Sequence, residues 1–219
     1  MPSRAPRRSD ALSTERIVAA AVEILDTNGE TGLTFRALAS RLATGAGAIY
    51  WHVADKDTLL AAATEHVISG ALPEDGRTES PNEAIRALAL GIFDAIDAHP
   101  WVGAHLARQP WQFAMVEIFE RVGRQLAALG VADQSLFYAG STVVNYILGV
   151  AGQNAANARL RPPGADRAAL LDDIAQRWQR YDAQCYPVVH QMAEQLRDHD
   201  DREQFLAGID ILLAGVTRA

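Results

Sequence analysis

The chain has 219 residues, 49% hydrophobic and 21% charged, a size and balance that suit one folded unit or two small domains and exclude a disordered or fibrous chain. A net charge of −7 argues against a surface that is basic all round, and the single cysteine, Cys185, excludes an internal disulfide and an all-cysteine metal site, as expected for a cytoplasmic protein. The charge is uneven: residues 1–70 hold seven basic and eight acidic groups, residues 71–219 thirteen and nineteen. In chain order, residues 1–12 carry Arg4, Arg7 and Arg8 without an apolar stretch behind them, which predicts a flexible basic arm and no secretory leader. From Thr14 to Asn28, Ile17, Ala21, Ile24 and Leu25 share one helical face, and Gly29 and Gly32 mark the turn that follows. Next comes LTFRALASRLATGAGAIYWHVADKDTLL, residues 33–60, in which two short helical patterns meet across a turn. Thr34 is placed to cap the first, whose Phe35, Leu38, Ala39 and Leu42 form one apolar stripe; the second begins near Thr44 or Gly45 and turns Ile49 and Val53 inward. Asp55 caps a further helix carrying Leu60, Ala63 and Val67.

The polar, turn-rich stretch from Pro73 to Pro81 separates a domain at 13–72 from a larger one at 81–219. Beyond it, helices are predicted from Asn82 to His99, Trp101 to Arg108, Trp111 to Leu129 and Asp133 to Arg159, divided by Pro100, Pro110 and Gly130. RLRPPGADR breaks the pattern, and helices from Ala168 to Gln184, on through Leu196 after Pro187, and from Arg202 to Val216 close it. No alternating run suggests a strand, so the fold class is all-α, and no run is long enough to span a membrane.

The two short helices read as a helix-turn-helix, the arrangement that lays a helix in the major groove while its flanks grip phosphates. Tyr50, Trp51 and His52 end the second helix where a phosphate backbone would run, with Trp51 expected to pack inward. Lys56 is the only lysine in the chain, and a cation in a helix's first turn opposes the helix dipole, so an external anion accounts for it.

In order and spacing these segments resemble the DNA-binding domain of the tetracycline-repressor family of bacterial regulators. The resemblance implies that Arg36 contacts bases, that Tyr50 and His52 contact the backbone and that Lys56 binds a phosphate. Thr34, Thr44, Gly45, Ala46, Gly47 and Ala48 complete the expected DNA face. Where relatives carry polar groups, that turn holds only glycine and alanine, which leaves specificity to Arg36, Thr44 and DNA shape. The partners implied are a double-stranded, palindromic operator, a small effector and a second copy of the chain, because one short helix reads too few base pairs.

REQFLAGIDILLAGV, residues 202–216, is similar to the family's terminal dimer helix, with Phe205, Ile209, Leu212 and Leu213 on one broad side; Thr142, Val143 and Val150 add a second candidate interface. Either stripe also suits the chain's own core. For the effector, Trp101, Trp111, Phe113, Phe119 and Tyr146 with Gln125, Asn145 and Gln153 have the mixed composition of a pocket, and of an ordinary core. The resemblance places His105 at a metal-binding histidine and Gln125 at a drug-contacting glutamine, but Gln153 where a carboxylate supports the metal, which implies a different, largely apolar or aromatic ligand. No cofactor or metal is implied. The six histidines lack metal-ligand spacing, and glycine-rich phosphate loops and nucleophile motifs are absent, so an enzyme is not expected. The competing reading is a helical ligand-binding or interaction module whose DNA face has degenerated.

Overall fold

In a computed structural model, residues 12–73, 80–160, 164 and 166–216 are described, and they form eleven helices and no strand. The expected basic arm lies almost wholly outside the described residues, as do residues 74–79 of the interdomain stretch. The helices are α1 (Thr14–Gly32), α2 (Phe35–Arg41), α3 (Ala46–Tyr50), α4 (Lys56–Ala71), α5 (Pro81–Ala98), α6 (Pro100–Arg108), α7 (Phe113–Ala128), α8 (Asp133–Leu160), α9 (Arg167–Trp178), α10 (Pro187–Leu196) and α11 (Asp201–Val216).

Local chemistry sets most boundaries. Thr34 accepts from the Ala37 amide at 3.1 Å and Asp55 from the Thr58 amide at 2.7 Å, so both cap where the sequence placed them. Ser80 and Glu83 cap α5 reciprocally: the Glu83 amide donates to Ser80 Oγ at 3.3 Å, and the hydroxyl donates to the carboxylate at 3.0 Å. Pro81, Pro100 and Pro187 open three helices at positions where a missing N–H costs nothing. Gly29, at φ 65°, kinks α1 where a stop was expected, and one more turn follows to Gly32. At the other end of the chain α9 stops at Trp178, short of the expected Gln184, because Asp182 takes the Gln184 amide at 2.8 Å and turns the backbone locally.

One apolar core runs from Ile17 and Leu38 through Ile92, Val122 and Ile147 to Phe205 and Leu213, joining both domains. The long α8 is its spine, packed against α5, α6, α7 and α11. The hairpin α9–α10 stands apart: the two helices pack mainly on each other, and their buried Leu171, Ala175 and Ala193 lie outside the main core.

Four residues expected at a dimer interface belong to this core instead. Val143, Phe205 and Ile209 are fully buried and Leu213 is 4% exposed, so they cannot reach a second copy. The ring of Phe205 lies 4.6 Å from that of Phe93 and 5.7 Å from that of Tyr146, and Gly208 leaves room for Tyr146, whose hydroxyl donates to the Phe205 carbonyl at 3.1 Å. Thr142 is exposed, and Val150 and Leu212 are half-buried.

Candidate nucleic-acid interface and effector groove

The helix-turn-helix is fixed from within by Leu38, Ile49 and Val53, all buried. Phe35 is half-buried, and Tyr50 stacks on it with ring centres 4.2 Å apart and planes 9° from parallel, which holds the end of α3 against the start of α2. Between the helices Ala43 takes a left-handed φ of 50°, and the Thr44 amide returns to the Ala39 carbonyl at 3.0 Å. Gly45, Gly47, Tyr50 and His52 are exposed, while Thr44, Ala46 and Ala48 are half-buried. Thr34 and Arg36 are exposed as well, and Arg36 makes no ion pair or side-chain hydrogen bond among the described residues.

Two residues sit differently from expectation. Trp51 is 91% exposed and does not pack. With Ile49 and Val53 four positions apart and both turned inward, the residue midway between them faces the opposite side, a signal already present in the spacing. Lys56 is half-buried, and its Nζ donates to the Glu30 carbonyl at 2.6 Å, so the last turn of α1 holds this ammonium at the foot of α4. Of its three N–H groups, one has this partner.

The α6 helix grips α1 at both ends. Asp26 Oδ1 accepts from Trp101 Nε1 at 2.8 Å and pairs with His99 Nδ1 at 2.8 Å; Arg108 pairs with Glu30 at 2.5 Å. Trp101, expected against an effector, is therefore a bridge between the domains and only 5% exposed. Between these ends lies His105, 1% exposed, with neither ring nitrogen hydrogen-bonded; the nearby Gln112 Oε1 is likewise unpartnered. Burial, with the Arg108 charge second, pushes the imidazole below its ordinary pKa of 6.5 and favours the neutral ring.

A groove of about 870 Å³ opens between α8, the α9–α10 hairpin and the start of α11, with Phe93 of α5 at its base. Of the nine residues expected to bind the effector, only Gln153 lines it. Trp111 and Phe113 are 75% and 59% exposed, Phe119 and Gln125 are half-buried on α7, Asn145 is exposed, and Tyr146 is committed to Phe205, its phenol pushed up by burial. Sequence reasoning missed Trp178, Met192 and Leu196, which contribute to the groove's apolar lining. They lie beyond the RLRPPGADR break, in segments whose neighbours the helical period does not identify. Among the described residues no three His, Cys, Asp or Glu side chains gather to hold a metal, and His105 does not line the groove that Gln153 lines, so these positions do not fit a metal chelate.

Comparison with known proteins agrees with this layout. Residues 17–63 match the family model described as bacterial regulatory proteins, tetR family, and residues 72–219 match the tetracyclin repressor-like C-terminal domain. An HTH-type transcriptional regulator of Saccharopolyspora erythraea is 31% identical over 184 residues, covering 83% of this chain and 77% of its own. The class D tetracycline repressor protein of Escherichia coli is 30% identical over 93% of this chain and 88% of its own. A TetR-type transcriptional regulator from Streptomyces coelicolor, solved as a structure, is 52% identical, superimposes with a TM-score of 0.87 and covers 95% of this chain and 99% of its own.

Proposed function

The chain belongs to the tetracycline-repressor family of bacterial transcriptional regulators, with a DNA-binding and a ligand-binding domain, and from that premise we propose that it is a homodimeric, cytoplasmic repressor released from a palindromic operator by a small effector. The observation that carries this reading is the helix-turn-helix face: an exposed Arg36 with no ion pair among the described residues, and exposed Tyr50, Trp51 and His52 following the buried Ile49. Arg36 reads a base edge, Thr44 and the Gly45–Ala48 turn let the backbone approach thymine methyls, and Tyr50, His52 and Lys56 grip phosphates. Thr34 supports the same face from the cap of α2. No described helix is long and apolar enough to cross a membrane.

Two copies associate through the exposed faces of α8 and α11, where Thr142, Asn145 and Gly149 on α8 and Ile211, 73% exposed, on α11 remain uncovered. Effector binding acts on α6, and through Asp26 and Glu30 on α1 as well as on α4, against which α6 also packs. The effector shifts the population only to the extent that it binds the DNA-incompetent arrangement more tightly.

A gel-shift with the DNA upstream of the protein's own gene tests this. A specific shift that is lost with Arg36→Ala supports it. Failure to bind any duplex in dilute salt without effector overturns it and favours a helical binding module with a degenerate DNA face.

A further inference from the structure

We propose that the groove between α8 and the α9–α10 hairpin takes an uncharged molecule whose apolar body carries hydroxyl or carbonyl oxygens. The inference rests on the reading of the chain as an effector-responsive regulator and gives that effector a chemistry. A volume of about 870 Å³ suits a drug-sized ligand. The apolar lining, with Ile174, Trp178 and Leu196, provides the area that drives binding.

The lining also carries four carboxamides from three helices: Gln153 and Asn157 on α8, Gln195 on α10 and Gln204 on α11. None of these four side chains makes a hydrogen bond among the described residues, whereas their neighbour Asn154 is already committed to Asp97 at 2.9 Å. A carboxamide donates and accepts, so these four complement hydroxyl and carbonyl oxygens.

The charged groups of the groove are matched to one another. Arg167 donates to the His199 carbonyl at 2.6 Å and pairs with Asp201 at 2.8 Å, and His199 Nε2 meets the same carboxylate at 3.0 Å. An anionic ligand would have to displace Asp201 and a cationic one Arg167, each leaving a partner unpaired. An uncharged ligand meets no such penalty, and one without oxygens would leave the amides desolvated and unpaired.

Calorimetry on the full chain without DNA tests this with two probes on one ring system: 1,8-dihydroxyanthraquinone, whose hydroxyls flank a carbonyl on one edge, and anthraquinone-2-sulfonate, an anion. The dihydroxy compound should bind once per chain and at least about tenfold tighter than the sulfonate. Gln153→Leu and Gln195→Leu should each weaken it by roughly five- to tenfold, as expected for one lost hydrogen bond, while Trp111→Leu, outside the groove, leaves it unchanged. Both glutamines are exposed, so the variants keep the core, which circular dichroism verifies. Equal or tighter binding of the sulfonate, indifference to both glutamine substitutions, or no binding of either probe overturns the proposal. Probe binding that appears only as the dimer dissociates also overturns it and assigns the groove to a second copy. Since no DNA is present, this outcome and the operator test can fail separately.

Discussion

The proposed DNA-facing surface and the proposed effector groove are built in opposite ways. Every group on the first comes from residues 34–56, set outward by a few buried anchors on the same short helices. The groove draws on residues 93–204 and on five helices, two of which lie outside the main core. A surface made by neighbours in sequence keeps its chemistry as long as its small core holds; a groove assembled from distant segments changes whenever one helix moves. That contrast suits a reader that must stay constant and a sensor that must respond.

Four outcomes would break or sharpen the contrast. Phe205→Ala, which removes the ring linking α5, α8 and α11, should cost about 3–5 kcal/mol of stability and collapse the groove, read as a lower thermal midpoint and lost probe binding. If the groove still binds its probe after that loss, it does not depend on long-range packing.

Asp26→Ala leaves the Trp101 indole N–H and His99 without their shared acceptor and should cost roughly 1–3 kcal/mol. It should also leave probe and operator binding intact while the effector no longer releases the DNA. Normal release would show that the α1–α6 contact carries no signal.

On the DNA face, Arg36→Ala should cost about 1–3 kcal/mol of discrimination at one base pair, whereas Lys56→Ala should weaken all sequences alike and lower the salt slope by about one unit. An unchanged slope for Lys56→Ala would reduce that lysine to its Glu30 carbonyl contact.

The smallest effect concerns His105. Its folded-state pKa lies below the ordinary 6.5, so the unfolded chain binds the proton more readily and stability falls as pH drops through that value. Against wild type, His105→Leu should lose this dependence below pH 6.5 in paired urea titrations, and parallel curves would show that the ring titrates normally.

The same contrast explains what the sequence discloses. Thr34, Asp55 and the helix-opening prolines act within one turn, so the helices and the DNA-facing domain are legible residue by residue. Trp51 was legible too, since Ile49 and Val53 already define which way it turns. Phe205, Ile209 and Val143 were not: an apolar stripe looks the same whether it meets the chain's own α5 or a second copy, because burial favours both equally. The groove was hidden for a related reason, as Gln153 and Gln195 come to line one groove only when α8 and the α9–α10 hairpin are brought together by the fold.

Gly91 has a mechanical consequence. A side chain there would overlap the carbonyl oxygen of Ala71, the final residue of α4, so the two backbones bear directly on each other. Such a bearing leaves little play, so a tilt of α5 is expected to carry into the shaft below it. One methyl group, as in Gly91→Ala, would act as a shim and is expected to shift the angle between α4 and α5.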